Sequence, residues 1–331
     1  HGTNMGAEWQ KLSLCDFWVK SEGENPIIKI LKDDYVSTPQ WEQILALDEF
    51  PIPDYDSYNW KLYNNRIPIT GSRGCVRQCT FCDIHTHWKK FVWRSGKSIA
   101  SEMIEQSEKY GIYDFAFTDS LINGSMKAYK EMCTALADYN NKNPKHKLTW
   151  SGQYIFRPAN QMPDHIWKLS AEAGLTEVAV GIESLDESIR NHMRKKFSNN
   201  DIVYSLESMK RYGIVGNFLM LVGYVTENEE TIQNQKDMFT QLREYAGNAI
   251  RKVAIGSTLA ILPGTPLASM ANEIGVKLGK DENDWVGLYS DQKTRLQWRE
   301  DLIEHCVNLG FYVPEHTGQD QLMTAGSVLH A

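Results

Sequence analysis

From residue 98 onward the chain alternates between amphipathic stretches and short apolar runs, and this alternation restricts its fold more than any other feature. Apolar runs fall at 114–120, 148–155, 177–184, 216–223 and 251–262. Helical stretches lie between them: from 98 to near Gly111, about 125–139, from Pro163 to Gly174, 201–212 and about 228–245. Ser98 is the expected cap of the first, Pro163 the expected first helical position of the third, and Gly111, Gly174 and Gly213 the expected stops. Strands joined through helices pair in parallel, because each crossover returns the chain to the same end of the sheet. Counting the apolar stretch at 66–74 as a first strand gives six βα repeats. Periodicity alone leaves an open barrel and a doubly wound sheet both standing.

Parallel strands gather their C-terminal tips at one end, where reaction sites form. The expected tips carry Asp119 and Ser120, Arg157, Glu183 and Ser184, Asn217, and Gly223. One polar residue in such a place serves equally well as a helix cap. As a set facing one cavity they make the better candidate site.

Just after the first apolar stretch, Cys75, Cys79 and Cys82 stand at gaps of three and two, half of the six cysteines in the chain. Thiolates are soft ligands that suit zinc, iron–sulfur or copper(I). Three ligands leave a coordination position open, and open positions are where chemistry happens. A structural zinc site completed by His85 or His87 is the plainer reading. A disulfide scaffold fits neither the length nor the spacing. Cys15, Cys133 and Cys306 stand alone and read as apolar filler.

The cysteine spacing, Phe81 just before the last thiol, and the loop's place after the first strand resemble the radical S-adenosylmethionine (radical SAM) family. The resemblance implies an α/β fold, a partial (β/α)6 TIM-like barrel with an N-terminal strap and a C-terminal cap. It implies a [4Fe–4S] cluster on Cys75, Cys79 and Cys82, with S-adenosylmethionine (SAM) on the fourth iron. Phe81 would then pack against the cluster or adenine, and Asp119 with Ser120 would meet the SAM amino group. Arg157 would clamp a carboxylate, Glu183 with Ser184 would meet the ribose or methionine part, and Asn217 is a further cofactor candidate. The stretch 185–195 continues this resemblance, with Ile189 where leucine is usual. Residues 263–267 resemble a sixth-strand ending, and 223–227 hold the place of a Gly-x-Pro-x-Glu turn without its proline. Gly71, Gly74 and Gly181 are expected where backbone approaches the cofactor. The implied mechanism takes an electron from a flavodoxin- or ferredoxin-like donor and cleaves SAM to methionine and a 5′-deoxyadenosyl radical. That radical takes hydrogen from a substrate not identified by any motif.

The barrel is most like that of the cobalamin-binding subgroup, yet fewer than 75 residues precede the cysteines, too few for a cobalamin domain. The nearest cobalamin motif, Asp83-Ile84-His85, runs into Trp88 where glycine is needed. The chain reads as a relative without that domain or as a fragment of a cobalamin-dependent methyltransferase, and cobalamin stays open. Residues 1–7 read as a tag remnant and start, 8–65 as an extended linker-like segment, 66–267 as the barrel, and 268–331 as a cap over its open side. A short helix is expected at 41–47, a solvated loop at 280–284, and a helix at 293–308 packing through Trp298, Leu302 and Cys306. A formal charge of −7 speaks against a general nucleic-acid surface. Arg73, Arg77, Lys89, Lys90, Arg94 and Lys97, facing only Asp83 in that stretch, form a local positive field suited to an acidic donor or an anionic substrate. No apolar run reaches membrane-span length, no secretion signal is read, and clustered free thiols fit the cytoplasm. From another class, a zinc-stabilised binding module would spread its basic residues over a face.

Overall fold

The computed structural model describes residues 10–34 and 42–317. After α1 (Glu24–Leu31), β1 (Ile67–Ile69) leads into two short antiparallel strands, β2 (Ser72–Arg73) and β3 (Val92–Trp93), which close the base of the cysteine loop. The loop itself contains the single turn α2 (Ile84–His87). From there strand and helix alternate: α3 (Gly96–Tyr110), β4 (Asp114–Phe117), α4 (Met126–Lys142), β5 (Thr149–Tyr154), α5 (Asp164–Glu172) and β6 (Leu175–Glu183). Next come α6 (Glu187–His192), α7 (Asn199–Tyr212), β7 (Val215–Val222), α8 (Glu229–Ala246), β8 (Ile250–Thr258) and α9 (Pro266–Met270).

The six main strands lie in chain order, β1-β4-β5-β6-β7-β8, and every pairing is parallel. A doubly wound sheet reverses its strand order at a switch point; this sheet has no reversal. It is the open α/β barrel of six βα repeats. Alternation along each strand sorts the side chains. β7 buries Phe218, Met220 and Val222, and turns Asn217, Leu219 and Leu221 to the opposite face. The buried faces of all six strands join Met103, Leu136, Ile166, Met209, Phe239 and other helix residues in one core. The inner face carries Ala116, Ser151, Gln153, Ala179, Gly181, Ala254 and Gly256. Closed eight-stranded barrels fill this space with bulky branched side chains; here most are small or polar, with Leu219 and Leu221 of β7 the bulkier exceptions, which leaves room for a lumen.

The C-terminal part adds the antiparallel pair β9 (Lys277–Leu278) and β10 (Trp285–Val286), then α10 (Gln292–Asn308). Trp298, Leu302 and Cys306 are buried as a packing face. They set α10 beside α8 and against β7 and β8, so this helix completes the outer layer next to the last strand. The Val253 N–H donates to the Tyr312 carbonyl, which covers the outer edge of β8. Residues 280–284 are exposed, as a solvated loop.

Three local expectations need correction. No helix forms at 42–46, the described part of the 41–47 stretch. The chain is irregular there and makes only a 3-10 turn at Leu47–Glu49, because Gln43 and Asp48 bond to Lys90 and to the Ser95 N–H instead of to their own backbone. Helix α3 starts three residues early: Ser95, not Ser98, is the cap and accepts from the Ser98 N–H. Pro163 is the N-cap of α5, one position ahead of the helix. Cys133 is buried like Cys306, whereas Cys15 is only half-buried. The tag-like start at 1–7 lies outside the described residues.

Gly174 turns the chain from α5 into β6 at φ +96°, and a Cβ there would stand 1.9 Å from the Leu148 carbonyl oxygen. Both the left-handed backbone and the clash with main chain penalise any side chain. Gly174→Ala is expected to cost about 3 kcal/mol in urea unfolding. A loss under about 0.5 kcal/mol would show that the turn relaxes freely.

Candidate active site

Three hydrogen bonds tie the cysteine loop to the C-terminal end of the sheet. The Thr80 N–H donates to Met193 O (3.1 Å), the Leu267 N–H donates to Thr80 O (2.8 Å), and the Thr80 and Tyr224 hydroxyls share a bond of 2.6 Å. Met193, Tyr224 and Leu267 follow β6, β7 and β8, so a loop leaving β1 is held by the far half of the sheet. Phe81 completes the fastening by packing against a second apolar cluster that contains Met193, Tyr224, Leu259, Ile261 and Leu267.

All three loop cysteines are free thiols; Cys79 is buried, Cys75 and Cys82 half-buried. The Arg77 N–H points to the Cys75 sulfur at 3.4 Å, and the Ile84 N–H donates to Cys82. Burial pushes the Cys79 thiol up against the pull of Lys195, and pushes Cys82 up to about 12. Thiols so raised keep their protons at neutral pH and are poor free nucleophiles. A bound metal centre deprotonates its thiols outright and removes that penalty. Sulfurs with N–H donors in apolar surroundings are the kind of ligand an iron–sulfur cluster takes. Among the described residues no three His, Cys, Asp or Glu side chains gather tightly enough for one metal ion. A four-iron cluster, with each thiol on its own iron, needs no such gathering. The His85 Nε2 is 2.6 Å from the Arg77 carbonyl oxygen, a bond that fixes the ring within the cysteine loop.

Glu183 ends β6 in the left-handed region at φ 64°, where the pairing with β7 also slips. This bend lays its carboxylate back over Gly181. A Cβ on residue 181 would be 2.4 Å from Glu183 Oε1 and 3.2 Å from Lys195 Nζ, so a side chain there would push this pair out of its present position. Lys195 Nζ bonds Glu183 Oε1 at 3.0 Å and stands 5.9 Å from the centre of the Phe81 ring. Burial works against the Lys195 ammonium, but Glu183 and then the Cys79 sulfur outweigh it and hold its pKa above the ordinary lysine value. The site therefore gathers Cys75, Cys79, Cys82, Phe81, Glu183 and Lys195. Lys195 had no assigned role in the sequence. The signal for it is the need to balance Glu183 where a strand tip meets a loop.

Other expected members are placed differently. Asp119 is buried, with one oxygen accepting from the Gly71 N–H and the other from Ser72 Oγ, so it braces the start of the cysteine loop. Ser120 beside it is half-buried. The Arg157 guanidinium donates to the carbonyls of Asn123 and Gly124 and to Gln161, which occupies the fork expected to clamp a carboxylate. Ser184 is fully buried in the turn after β6, where its hydroxyl accepts from the Asp186 N–H. Asn217 is no tip residue at all. It is third in β7, at the opposite end, bonded to Glu177. Gly223 and Tyr224 present their N–H groups to the buried Glu227 carboxylate, so the 223–227 turn keeps its acidic clamp without the proline. The expected positive field is partly neutralised. Arg73 pairs with Glu22 and Glu24, and Arg94 with Glu102, all acids from outside the stretch that suggested it.

The radical SAM superfamily model matches residues 69–238, more than half of the chain. A bacteriochlorophyllide d C-12(1)-methyltransferase of Chlorobaculum tepidum is 25% identical over 258 residues, covering 75% of this chain and 53% of that protein. Among solved structures, the cobalamin-dependent SAM radical enzyme OxsB with aqua-cobalamin bound superposes with a TM-score of 0.63 at 15% identity, over 85% of this chain and 49% of that one. The radical SAM methyltransferase TsrM from Kitasatospora setae, with tryptophan substrate and a SAM analog bound, gives 0.56 at 19% identity over 68% and 44%. These two show the same fold. The chain spans about a third to a half of the length of the curated relatives it matches. Enzymes of this superfamily use a [4Fe–4S] cluster and SAM and need a reductant. Matching family model, six-repeat barrel and thiol loop agree: this chain belongs to the radical SAM superfamily.

Proposed function

We propose that this barrel cleaves SAM reductively and uses the radical to take hydrogen from a substrate in its lumen. The observation that carries the reading is the gathering of three free thiols, Phe81 and the Glu183–Lys195 pair at one end of the inner wall. Cys75, Cys79 and Cys82 would hold the cluster, which when bound supplies the electron that breaks SAM into methionine and a 5′-deoxyadenosyl radical. Phe81 shields the loop from water, and the bonds from Met193, Tyr224 and Leu267 keep it in place. Glu183, aimed inward by its left-handed backbone, accepts hydroxyl or ammonium donors of the cofactor, with Lys195 setting its direction. Arg157 and Asp119 position the surrounding loops. We assign 66–267 to the catalytic barrel, 8–65 to a strap and 268–331 to a C-terminal extension. No helix among the described residues is long and apolar enough to cross a membrane; we place the protein in the cytoplasm. A flavodoxin- or ferredoxin-like donor fits the exposed Lys89, Lys90 and Lys97 beside the loop.

The test is product analysis. Anaerobically reconstituted protein given SAM and dithionite is expected to release 5′-deoxyadenosine and methionine in equal amounts. Stoichiometric zinc with no SAM cleavage would return the thiols to a structural role. A second reading, cobalamin-dependent methyl transfer, is favoured by the likeness to cobalamin-bound OxsB, of which this chain covers half. It needs cobalamin from a further segment or partner.

Lys195→Met tests the electrostatics. Reduction adds negative charge near the buried ammonium, so its loss is expected to lower the cluster's midpoint potential. Redox titration checks this; an unchanged or higher potential contradicts the placement.

A further inference from the structure

Three ion pairs stand along the inner wall and its lower rim, and Lys252 belongs to none of the ion pairs among the described residues. Arg66 pairs with Asp114 at 2.9 Å, Lys195 with Glu183 at 3.0 Å, and Arg251 with Glu177. Lys252 also lies on the inner face of β8, between the buried Ile250 and Val253, with Ala254 as its next inward neighbour. Among the described residues no carboxylate lies within salt-bridge distance of its ammonium. Register places it beside Asn217 of β7, which stands beside Ala179 of β6 and, beyond that, Gln153 of β5. Asn217 spends its amide donor on Glu177, while its buried Oδ1 accepts from nothing in the protein. Adjacent positions on one wall thus offer an uncompensated cation and an unfilled acceptor. A half-buried charge and a buried acceptor left without partners both carry a free-energy cost that a ligand removes.

We propose that this row holds the substrate, and that the substrate carries a carboxylate flanked by a hydrogen-bond donor. That is the pattern of an α-amino or α-hydroxy acid. Lys252 takes the carboxylate, Asn217 Oδ1 accepts from the ammonium or hydroxyl, and Gln153 closes the row. Lys252 is the single cation of this row and matches a monoanion; a phosphate dianion would face Glu177 with its second charge unbalanced. The row is four residues below Glu183 along β6, about 13 Å at about 3.3 Å per residue. That separation accommodates a small molecule between the row and the thiol end. The inference rests on the lumen being the reaction chamber.

Saturation-transfer NMR on the reconstituted, SAM-loaded protein tests it. The probes are a mixture of common L-α-amino acids, the matching L-2-hydroxy acids, and the amino-acid amides. At least one acid is expected to bind, its amide to lose the signal, and Lys252→Met to weaken binding about tenfold or more. Lys252→Arg, which keeps the charge, is expected to retain it, as is Lys280→Met at an exposed loop position. Response to amino acids or to hydroxy acids identifies the flanking donor. Equal binding of amides, no binding of any acid, or an unaffected Lys252→Met overturns the proposal. SAM cleavage is read in the same samples without added substrate. If cleavage fails while the acids bind through Lys252, the anion site stands and the radical-enzyme reading falls.

Discussion

Cys79→Ser is expected to abolish cluster binding and to reduce SAM cleavage to the uncatalysed background, with the fold intact. Cys79 is the most enclosed of the three thiols, and its neighbours Thr80 and Phe81 fix the loop to the sheet. A serine hydroxyl there is a hard, weakly acidic ligand in place of a soft thiolate. Burying it costs about 1 kcal/mol, far less than the stability of a typical domain. Reconstituted wild-type protein should hold about four irons per chain and the variant none that survives desalting. Iron and sulfide analysis with circular dichroism checks both halves. Full iron retention would remove Cys79 from the ligand set, and unfolding would make the loop structural.

The largest effect on stability is expected at Glu227. Its carboxylate is fully buried and accepts from the Gly223 and Tyr224 N–H groups and from the Gln235 amide. Glu227→Ala leaves those buried donors without an acceptor, at about 1–3 kcal/mol for each. A total on the order of 4 kcal/mol follows, and the turn that carries Tyr224 under the cysteine loop loosens with it. Burial raises the Glu227 pKa to about 7 from the 4.5 of a free side chain, against the pull of its hydrogen bonds. The native state therefore binds the proton more tightly than the unfolded chain. Linkage makes this contribution greatest below pH 4.5 and progressively lost as pH rises through 7. Asp119, raised by burial to about 7 from 3.8, adds to the same trend. Urea unfolding at pH 5 and pH 8 should show Glu227→Gln, which does not titrate, with a flatter slope than the wild type. Equal slopes would place the Glu227 pKa near its free value.

The strands and helices were legible because burial imposes period on the sequence. Ile99, Met103 and Gln106, or Ile232, Gln235 and Phe239, recur at helical spacing and do lie inside. The barrel needed the family resemblance, since order within a parallel sheet leaves no local trace. Errors in the site share one cause, long-range pairing. Asp119 looks like a free tip carboxylate until Gly71 and Ser72, where the chain passes from β1 to β2, take both its oxygens. Arg157 looks like an anion clamp until the carbonyls of 123 and 124 arrive. Asn217 stands near the start of the apolar run 216–223, so the rule for parallel strands itself puts it at the end away from the tips. The cysteine spacing was legible for the opposite reason. A cluster loop carries its ligands on consecutive turns of one short segment, so the motif is local.

The central claim is a SAM-binding cluster on Cys75, Cys79 and Cys82, and electron paramagnetic resonance of the reduced, reconstituted protein tests it most directly. A [4Fe–4S] signal that changes shape when SAM is added is the expected result. A signal indifferent to SAM, or none beside stoichiometric zinc, would contradict it.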